Sequence, residues 1–219
     1  FTSSVAALGV PERPGELRDE TCDFNMPPER FHYGYSKMLS EQQVRWAIRR
    51  GLDAVIVNPA TVIGQRDIHF VGGEILHAAA QGWTLMAPPG GMGVVDARSV
   101  GDGHVLAAEH GRTGERYVLN GTNVSHHRLM TLVAETVGRG RPIAVLPRSL
   151  VRLGAVALRG YEALGGGRSP LSSDQWWMSA HLLYFDGSKA ERELGFTSAS
   201  VRDAIKSAWQ WYRARGLLA

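Results

Sequence analysis

The stretch Asp53-Ala54-Val55-Ile56-Val57-Asn58-Pro59 decides the fold class of this chain. It is a continuous apolar run of strand length, which is typical of a parallel β-strand covered on both faces. The residues before it, 33–50, carry apolar side chains near helical spacing and end at Gly51, so they predict a helix. A helix that leads into a buried parallel strand indicates an α/β protein.

Strands and helices continue to alternate after this strand. Residues 63–95 are expected to be irregular around one short helix, 72–81. Beyond them the hydrophobic pattern predicts helices and strands in turn. These elements are a helix over 99–110, a strand over 116–119, a helix over about 125–137 and a strand over 143–146.

The last third of the sequence is predicted to be mainly helical. Its most apolar stretch, 150–164, is interrupted by two arginines and is too short to span a membrane, so we predict a helix packed on a core or covering a pocket. Asp186 or Ser188 can cap a short helix that stops at Gly195. Six apolar residues then share one face of a last helix: Val201, Ala204, Ile205, Ala208, Trp209 and Tyr212. This helical tail predicts a second, smaller lobe.

Composition narrows the possible functions. Hydrophobic residues make up 44% of the chain and charged residues 21%, as in an ordinary globular protein. The net charge is +3 and the basic residues are scattered, so we predict no nucleic-acid partner. Cys22 is the only cysteine and no signal peptide is present, which favours a reducing cytoplasm. The histidines lack metal-ligand spacing with acidic partners, so we predict no metal site.

The strongest chemical signal is Tyr33-Gly34-Tyr35-Ser36-Lys37. Residues four apart share one face of a helix, so Tyr33 and Lys37 can point into the same site. A phenol loses its proton only near about pH 10, which makes it a poor acid or base at neutral pH, but a neighbouring ammonium group favours the phenolate. Alone, such a pair is more often only a tyrosine and a lysine on a helix surface.

Two further segments lie where strands are expected to end. Thr2-Ser3-Ser4 follows an apolar, strand-like start, and Asn58-Pro59-Ala60-Thr61-Val62-Ile63-Gly64 ends the strand over 53–59. Open α/β sheets bind ligands at the carboxyl ends of their strands, so a serine hydroxyl there could donate a hydrogen bond to a substrate oxygen. Taken singly, each segment is only a strand followed by a turn.

Together, in this order and spacing, these segments resemble the extended short-chain dehydrogenase/reductases, the NAD-dependent epimerase/dehydratase superfamily. The strand-end serine of that family falls on Ser4, with Ser3 as the weaker candidate. Its Tyr-x-x-x-Lys pair falls on Tyr33 and Lys37. Three further segments match family patterns: Asn58-Pro59 with Gly64; Val94-Val95-Asp96-Ala97-Arg98-Ser99-Val100, where Ser99 replaces an acid; and Asp186-Gly187-Ser188-Lys189-Ala190 with Glu193-Leu194-Gly195-Phe196.

The resemblance implies a fold and a division into domains. The fold would be the C-terminal part of a doubly wound, Rossmann-type parallel sheet with a smaller, mostly helical substrate-binding lobe. Residues 1–62 would form the second half of the dinucleotide-binding domain. Residues 63–219 would form mainly the lobe, with 96–120 packing back on the first domain. The segment 57–64 is most similar to the dihydroflavonol-reductase-like branch.

The resemblance also implies a role for each site residue. Tyr33 would be the acid or base that moves a proton to or from the substrate oxygen. Lys37 would bind the nicotinamide ribose and favour the phenolate, and Ser4 would orient the substrate carbonyl. The cofactor would be NAD or NADP, contacted by Tyr33 and Lys37. The nicotinamide side of the site would be lined by Pro59, Ala60 and Val62.

The glycine-rich loop that holds the cofactor pyrophosphate in this family does not occur in the sequence. Gly90-Gly91-Met92-Gly93, Gly101-Asp102-Gly103 and Gly165-Gly166-Gly167 lack the required spacing or the flanking strand and helix, so we interpret them as loops and helix ends. The chain also opens at Phe1, without Met and inside a strand-like segment. We therefore expect that an N-terminal part is missing and that this chain alone is inactive.

Three functions remain open at this point. The first is an NAD(P)-dependent oxidoreductase that interconverts a ketone and a secondary alcohol. The second is a nucleotide-sugar epimerase or dehydratase that uses bound NAD, and the third is a binding module or regulatory relative without catalysis. The expected partner is a small-molecule substrate, with no membrane span. The helix over 33–50 could also form a homodimer interface, as the counterpart helix does in many members of the family.

Overall fold

The computed structural model describes residues 1–13, 15–82, 86–139, 142, 144–165 and 172–218. Its helices are α1 (His32–Ile48), α2 (Glu74–Ala80), α3 (Ala97–His110), α4 (His126–Val137), α5 (Arg148–Ala163), α6 (Ser173–Met178), α7 (Ser188–Leu194) and α8 (Val201–Ala214). A single 3-10 turn, Val5–Leu8, precedes α1. The structure confirms the helices predicted over 33–50, 72–81, 99–110, 125–137 and 150–164, with ends that differ by one or two residues.

The strands pair mainly in parallel. They are β1 (Ile56–Pro59), β2 (Thr61–Ile63), β3 (Met86–Ala87), β4 (Gly91–Asp96), β5 (Arg116–Leu119), β6 (Thr122–Ser125), β7 (Ala144–Val145) and β8 (Leu182–Leu183). β1 pairs in parallel with β5, and Thr2 forms a parallel bridge with Val57. β4 pairs in parallel with β2 and β8 and antiparallel with β6, whereas β3 pairs in parallel with β7. Parallel strands alternating with helices confirm the predicted α/β class.

Two predicted features of the strands have separate outcomes. The predicted strand over 116–119 is β5, and the one over 143–146 is β7, although residue 143 lies outside the described residues. β5 pairs in parallel with β1, and the expectation that 96–120 packs back on the first domain stays a prediction. The domain boundary at residue 62 stays a prediction.

Two clusters of buried apolar side chains form the core. The first, called the β1–β5 core, contains Val5, Leu8, Val57, Ala60, Val95, Ala107, Tyr117, Val118, Leu119, Phe185, Ala190, Leu194 and Phe196. The second, called the α8 core, contains Ile63, Leu76, Ala79, Ala80, Val94, Val124, Leu129, Leu132, Val133, Ala204, Ile205, Ala208, Trp209, Tyr212 and Leu218. The predicted apolar stripe of the last helix is therefore confirmed, with Val201 packed at the margin of the α8 core.

The prediction that 63–95 is irregular around one helix is wrong, because β3 and most of β4 lie there. β4 was not predicted from the sequence because its glycines are typical of loops. In the structure these glycines are required by close packing. A Cβ on Gly91 would lie 2.6 Å from the Val124 carbonyl oxygen, and one on Gly93 would lie 2.6 Å from Asn120 Oδ1. Gly91 and Gly93 are therefore strand residues at close approaches, not loop residues.

The predicted cap of the helix that ends at Gly195 needs a correction. Ser188 is the first residue of α7, and Gly187 at the N-cap offers no side chain. Asp186 instead accepts a hydrogen bond from the Ser188 N–H, at 2.9 Å. The predicted stop is confirmed, since Gly195 adopts the left-handed conformation with φ 70°.

α5 packs on α6 and buries Val151 and Ala155, while the other side of the helix faces outward. The side chains of Leu153 and Val156 on that side are 66% and 70% exposed. Among the described residues, no helix is long and apolar enough to cross a membrane.

Candidate active site

The loop that carries Ser4 lies beside β1. The Ser3 N–H donates to the Val57 carbonyl at 2.8 Å, and the Val57 N–H donates to the Phe1 carbonyl at 3.0 Å, so the first residues run parallel to β1. Ser4 then caps the Val5–Leu8 turn, with its Oγ accepting the Ala6 N–H at 3.2 Å. The serine hydroxyl thus lies where the segment that runs beside β1 ends and a turn begins.

The first turns of α1 carry the Tyr33 and Lys37 side chains on one face. The Lys37 Nζ lies 6.0 Å from the centre of the Tyr33 ring. It also donates a hydrogen bond to the Thr2 carbonyl at 3.3 Å, which joins α1 to the segment that carries Ser4. The Tyr33 side chain is 55% exposed, so its hydroxyl is accessible to a ligand.

A cavity of about 550 Å³ connects these elements. Ser4, Tyr33, Ala60 and Val62 all line it, so the structure brings four of the predicted site residues to one space. Lys37 and Pro59 do not line it: Pro59 is buried in β1, and Lys37 reaches the Thr2 carbonyl instead. The rest of the wall is mostly apolar, with Val5, Ala6, Phe31, Val71, Met92, Leu183 and Phe185.

The loop between β2 and α2 closes one side of the cavity, and Asp67 holds this loop in shape. Its carboxylate accepts the N–H groups of Val71, Gly72 and Gly73, each at 2.9 Å, and the Tyr212 hydroxyl at 3.1 Å. Burial opposes ionisation of Asp67, but these four donors outweigh it and lower its pKa below the ordinary value.

The same loop contains residues in the left-handed region. Arg66 has φ 71° and Phe70 has φ 54°, which is uncommon for residues other than glycine. The Phe70 ring stacks on the Tyr212 ring with centroids 4.8 Å apart. The bonds to Asp67 and this stacking offset the backbone strain, so the wall is held in one conformation.

A buried polar network lies behind the cavity, and the sequence prediction missed it. Glu41 accepts hydrogen bonds from Ser3 Oγ at 2.5 Å and from Asn58 Nδ2 at 2.7 Å, and it pairs with Arg116 at 3.3 Å. One signal was available, since Glu41 follows Lys37 by four residues and so shares its helix face. Because the Ser3 hydroxyl is bound to Glu41, Ser4 is the serine that faces the cavity.

Electrostatically, the cavity is nearly neutral. Of the described residues that line it, only Arg66 and Asp67 are charged. Within the described part of the chain, no group of three or more His, Cys, Asp or Glu side chains is arranged to hold a metal ion.

Comparison with known proteins gives a consistent result. Residues 1–119 match the NAD dependent epimerase/dehydratase family. A provisionally named dihydroflavonol 4-reductase of Synechocystis sp. is 34% identical over 225 residues, and the match covers 99% of this chain and 64% of that protein. Sterol demethylase protein B of Methylococcus capsulatus is 31% identical over 224 residues, and the match covers 99% of this chain and 66% of that protein.

Solved structures agree with these relatives. The crystal structure of a nucleoside-diphosphate-sugar epimerase from Pseudomonas aeruginosa superposes with a TM-score of 0.79 at 28% identity, covering 100% of this chain and 67% of that one. This superposition confirms the predicted Rossmann-type fold. The chain spans about two thirds of the length of each of these proteins.

Proposed function

The chain belongs to the NAD dependent epimerase/dehydratase family, and we propose that it carries the catalytic groups of an NAD(P)-dependent oxidoreductase that interconverts a ketone and a secondary alcohol. One observation carries the proposal: Ser4 and Tyr33 line the same cavity as the small apolar residues Ala60 and Val62. Lys37 lies one helical turn beyond Tyr33. A proton donor, a hydroxyl and an apolar wall thus meet where a carbonyl can be reduced.

The residues present fit the nicotinamide end of NAD. Ala60 and Val62 form an apolar part of the wall that one face of a planar ring such as nicotinamide can contact. The Lys37 ammonium has three N–H groups, and the Thr2 carbonyl takes one, so the others can bind ribose hydroxyls. When bound, the nicotinamide supplies the hydride or accepts it.

Ser4 and Tyr33 would both contact the substrate oxygen, Ser4 as a hydrogen-bond donor and Tyr33 as the group that exchanges a proton. The Ser4 Oγ accepts the Ala6 N–H, so its own hydrogen points elsewhere and can bind the substrate carbonyl. In reduction, the Tyr33 hydroxyl gives its proton to that oxygen as the carbonyl carbon receives hydride. In oxidation, the Tyr33 phenolate takes the proton back. The Lys37 ammonium lies 6.0 Å from the centre of the Tyr33 ring, so both groups are placed on the same side of the site.

The test compares two tyrosines of α1 in the protein at its natural length. Tyr33→Phe should lower kcat by about a hundredfold, because a general acid contributes at least that much. Tyr35→Phe is the matched control: it removes a hydroxyl two positions away, from a ring that packs on Phe24, and should keep kcat. Near-normal turnover in Tyr33→Phe, with both variants folded, would sink the proposal.

Lys37→Met gives a second test of the same site. The cofactor should bind more weakly and kcat should also fall, since Lys37 would hold the ribose and so place the nicotinamide beside Tyr33. Cofactor affinity can be measured by fluorescence titration without turnover. Unchanged affinity together with unchanged kcat would remove Lys37 from the site.

A second candidate function has one observation in its favour, the similarity to the Pseudomonas aeruginosa sugar epimerase. In such a reaction a nucleotide sugar would be converted with no net change in bound NAD. The cavity favours the first proposal, because a diphosphate binds best where several cationic groups meet and Arg66 is the only cation among the described residues of the lining. Net formation of oxidised or reduced cofactor with a ketone substrate separates the two reactions.

α1 is also the proposed face of a homodimer. Its outward side exposes Leu39 and Trp46, which are 39% and 49% accessible. Large apolar side chains on a helix that already packs on the protein are typical of an interface. The native mass of the protein in solution tests this, and a monomer at micromolar concentration would exclude it.

A further inference from the structure

Glu41 is a buried carboxylate on the helix that carries Tyr33 and Lys37. It follows them by eight and four residues, on the same side of α1, and is only 3% exposed. It does not line the cavity. A buried carboxylate is costly unless charges and donors compensate it, so the contacts of Glu41 need a reason.

Two of these contacts reach the segment that carries Ser4. The Ser3 hydroxyl donates to Glu41 Oε1 at 2.5 Å. Asn58 Nδ2 donates to the same oxygen at 2.7 Å and also to the Ser4 carbonyl at 2.9 Å. The side chain of Glu41 therefore holds the residue before Ser4 directly, and holds the backbone of Ser4 through one amide group.

The third contact anchors Glu41 to β5. Arg116, 8% exposed, pairs with Glu41 Oε2 at 3.3 Å. Its other nitrogen donates to the carbonyls of Glu20 and Cys22 at 2.6 and 3.1 Å, so the guanidinium is fixed from the opposite side. Arg45 lies at 3.8 Å, one turn along α1. Two arginines thus compensate the charge of the carboxylate at Oε2.

We propose that Glu41 is a positioning residue that sets the placement of Tyr33 and Lys37 on α1 relative to Ser4 at the end of the neighbouring strand. This inference rests on the proposed function. Glu41 contacts neither the cavity nor a reacting atom, and acts only through Ser3, Asn58 and Arg116. Catalysis is sensitive to such placement, since a displacement of about 1 Å can lower the rate about a hundredfold.

The activity test uses the protein at its natural length and two variants of Glu41. Glu41→Leu removes every hydrogen bond, so kcat should fall about a hundredfold, with KM for the ketone changed far less. Glu41→Gln keeps an oxygen that accepts from Ser3 and Asn58 but loses the charge that pairs with Arg116. It should recover most of the lost kcat. Gln42→Ala, an exposed neighbour on α1, is the matched control and should behave as the wild type.

A double-mutant cycle tests the path through Ser3. Ser3→Ala removes one donor to Glu41 and should lower kcat by a smaller factor than Glu41→Leu. Because both changes break the same bond, their effects on kcat should be clearly less than multiplicative. Independent, multiplicative effects would contradict a path from Glu41 through Ser3.

Amide hydrogen exchange provides a readout that needs neither cofactor nor substrate. In Glu41→Leu, exchange should accelerate at residues 2–4 and 33–37 more than in α8, because only the first two segments lose their link. A variant that is merely less stable would instead exchange faster in all three.

The outcomes separate this inference from the proposed function. If the wild-type protein shows no hydride transfer, the proposed function is overturned. Faster amide hydrogen exchange at residues 2–4 and 33–37 in Glu41→Leu would still show that Glu41 positions these two segments. Active wild-type protein with normal kcat in folded Glu41→Leu would overturn the role of Glu41 alone. If Glu41→Leu does not fold, Ser3→Ala decides, because it removes one donor to Glu41: a kcat equal to that of Gln42→Ala, with unchanged exchange at residues 2–4, rejects the role.

Discussion

Two helices of this protein are attached in opposite ways. α8 buries Ala204, Ile205, Ala208, Trp209 and Tyr212, a stripe of apolar side chains. α1, which is longer and carries the proposed catalytic pair, buries only Gly34 and Glu41. Hydrophobic burial therefore holds α8, whereas close backbone contact and buried hydrogen bonds hold α1.

The attachment of α1 suits a catalytic helix. At Gly34 the helix approaches the Val5–Leu8 turn so closely that a Cβ would lie 2.6 Å from the Ala6 carbonyl oxygen. Apolar packing is non-directional and tolerates small shifts, whereas hydrogen bonds and close contacts fix distance and angle. Stability and the placement of the proposed catalytic pair therefore depend on different parts of this chain, and each part can be perturbed separately.

Ile205→Ala is expected to have the largest effect on stability. Ile205 is fully buried in the α8 core, so its truncation should lower the free energy of unfolding by about 2–5 kcal/mol. Urea denaturation measures the change. In the protein that remains folded, kcat should stay near the wild-type value, because the catalytic placement depends on α1. A kcat loss as large as that of Tyr33→Phe would contradict the view that α8 contributes to stability but not to the placement of the proposed catalytic pair.

His126 is an exception to the apolar character of the region around α8. Burial lowers its pKa to about 4, against the weaker opposing effect of the Ser179 carbonyl, and its Nδ1 has no hydrogen-bond partner among the described residues. In an unfolded chain the pKa is about 6.5, so the unfolded state binds the proton more tightly. The contribution of neutral His126 to the free energy of unfolding is therefore fully present above about pH 6.5. As the pH falls from there to about 4, the free energy of unfolding decreases by about 3 kcal/mol.

The test follows the free energy of unfolding between pH 7 and 4. In His126→Leu the fall over this range should be about 3 kcal/mol smaller than in the wild type, because the titrating group is gone. His127→Gln, the next residue on α4, serves as the control and should keep the wild-type fall. An equal fall in His126→Leu and the wild type would show that other groups cause the acid sensitivity.

Gly34→Ala tests the close contact of α1. In an open helix this change stabilises by about 1 kcal/mol. Here the new methyl group would meet the Ala6 carbonyl and the Phe31 ring, so we expect a loss of about 1–3 kcal/mol instead. Because α1 must move away from the turn that follows Ser4, kcat should fall as well.

Gly101→Ala in α3 is the matched control for this smallest effect. No atom lies within 4 Å of its added Cβ, so it should be neutral or slightly stabilising. Equal stability changes at Gly34 and Gly101 would mean that α1 is held no more tightly than an ordinary surface helix.

The sequence predicts the parts of the fold that depend on local pattern. The α8 stripe follows from periodicity alone, and the end of α7 follows from one glycine. β4 did not follow, because Gly91 and Gly93 are explained only by Val124 and Asn120, which are distant in the chain. A glycine at a close approach looks in the sequence like a glycine in a loop.

The candidate site shows the same limit. Ser4 and Tyr33 were predicted from a strand-end pattern and a helix spacing, and the structure puts both on one cavity. The choice between Ser3 and Ser4, by contrast, depends on Glu41, which is 38 residues from Ser3. Arg116, which pairs with Glu41, is separated from it by 75 positions in the chain. No local pattern shows that these side chains share one buried network.

The bond between Tyr212 and Asp67 has a consequence for the order of events in the cell. It joins residues 145 positions apart, and it completes the wall of the cavity. At about 5–20 residues per second, a ribosome needs roughly 7–30 s to synthesise the chain between them. During that interval the nascent polypeptide has Ser4, Tyr33 and the loop around Asp67 but no anchor for that loop. The loop around Asp67 therefore gains its Tyr212 anchor, and the cavity its complete wall, only after α8 has been synthesised.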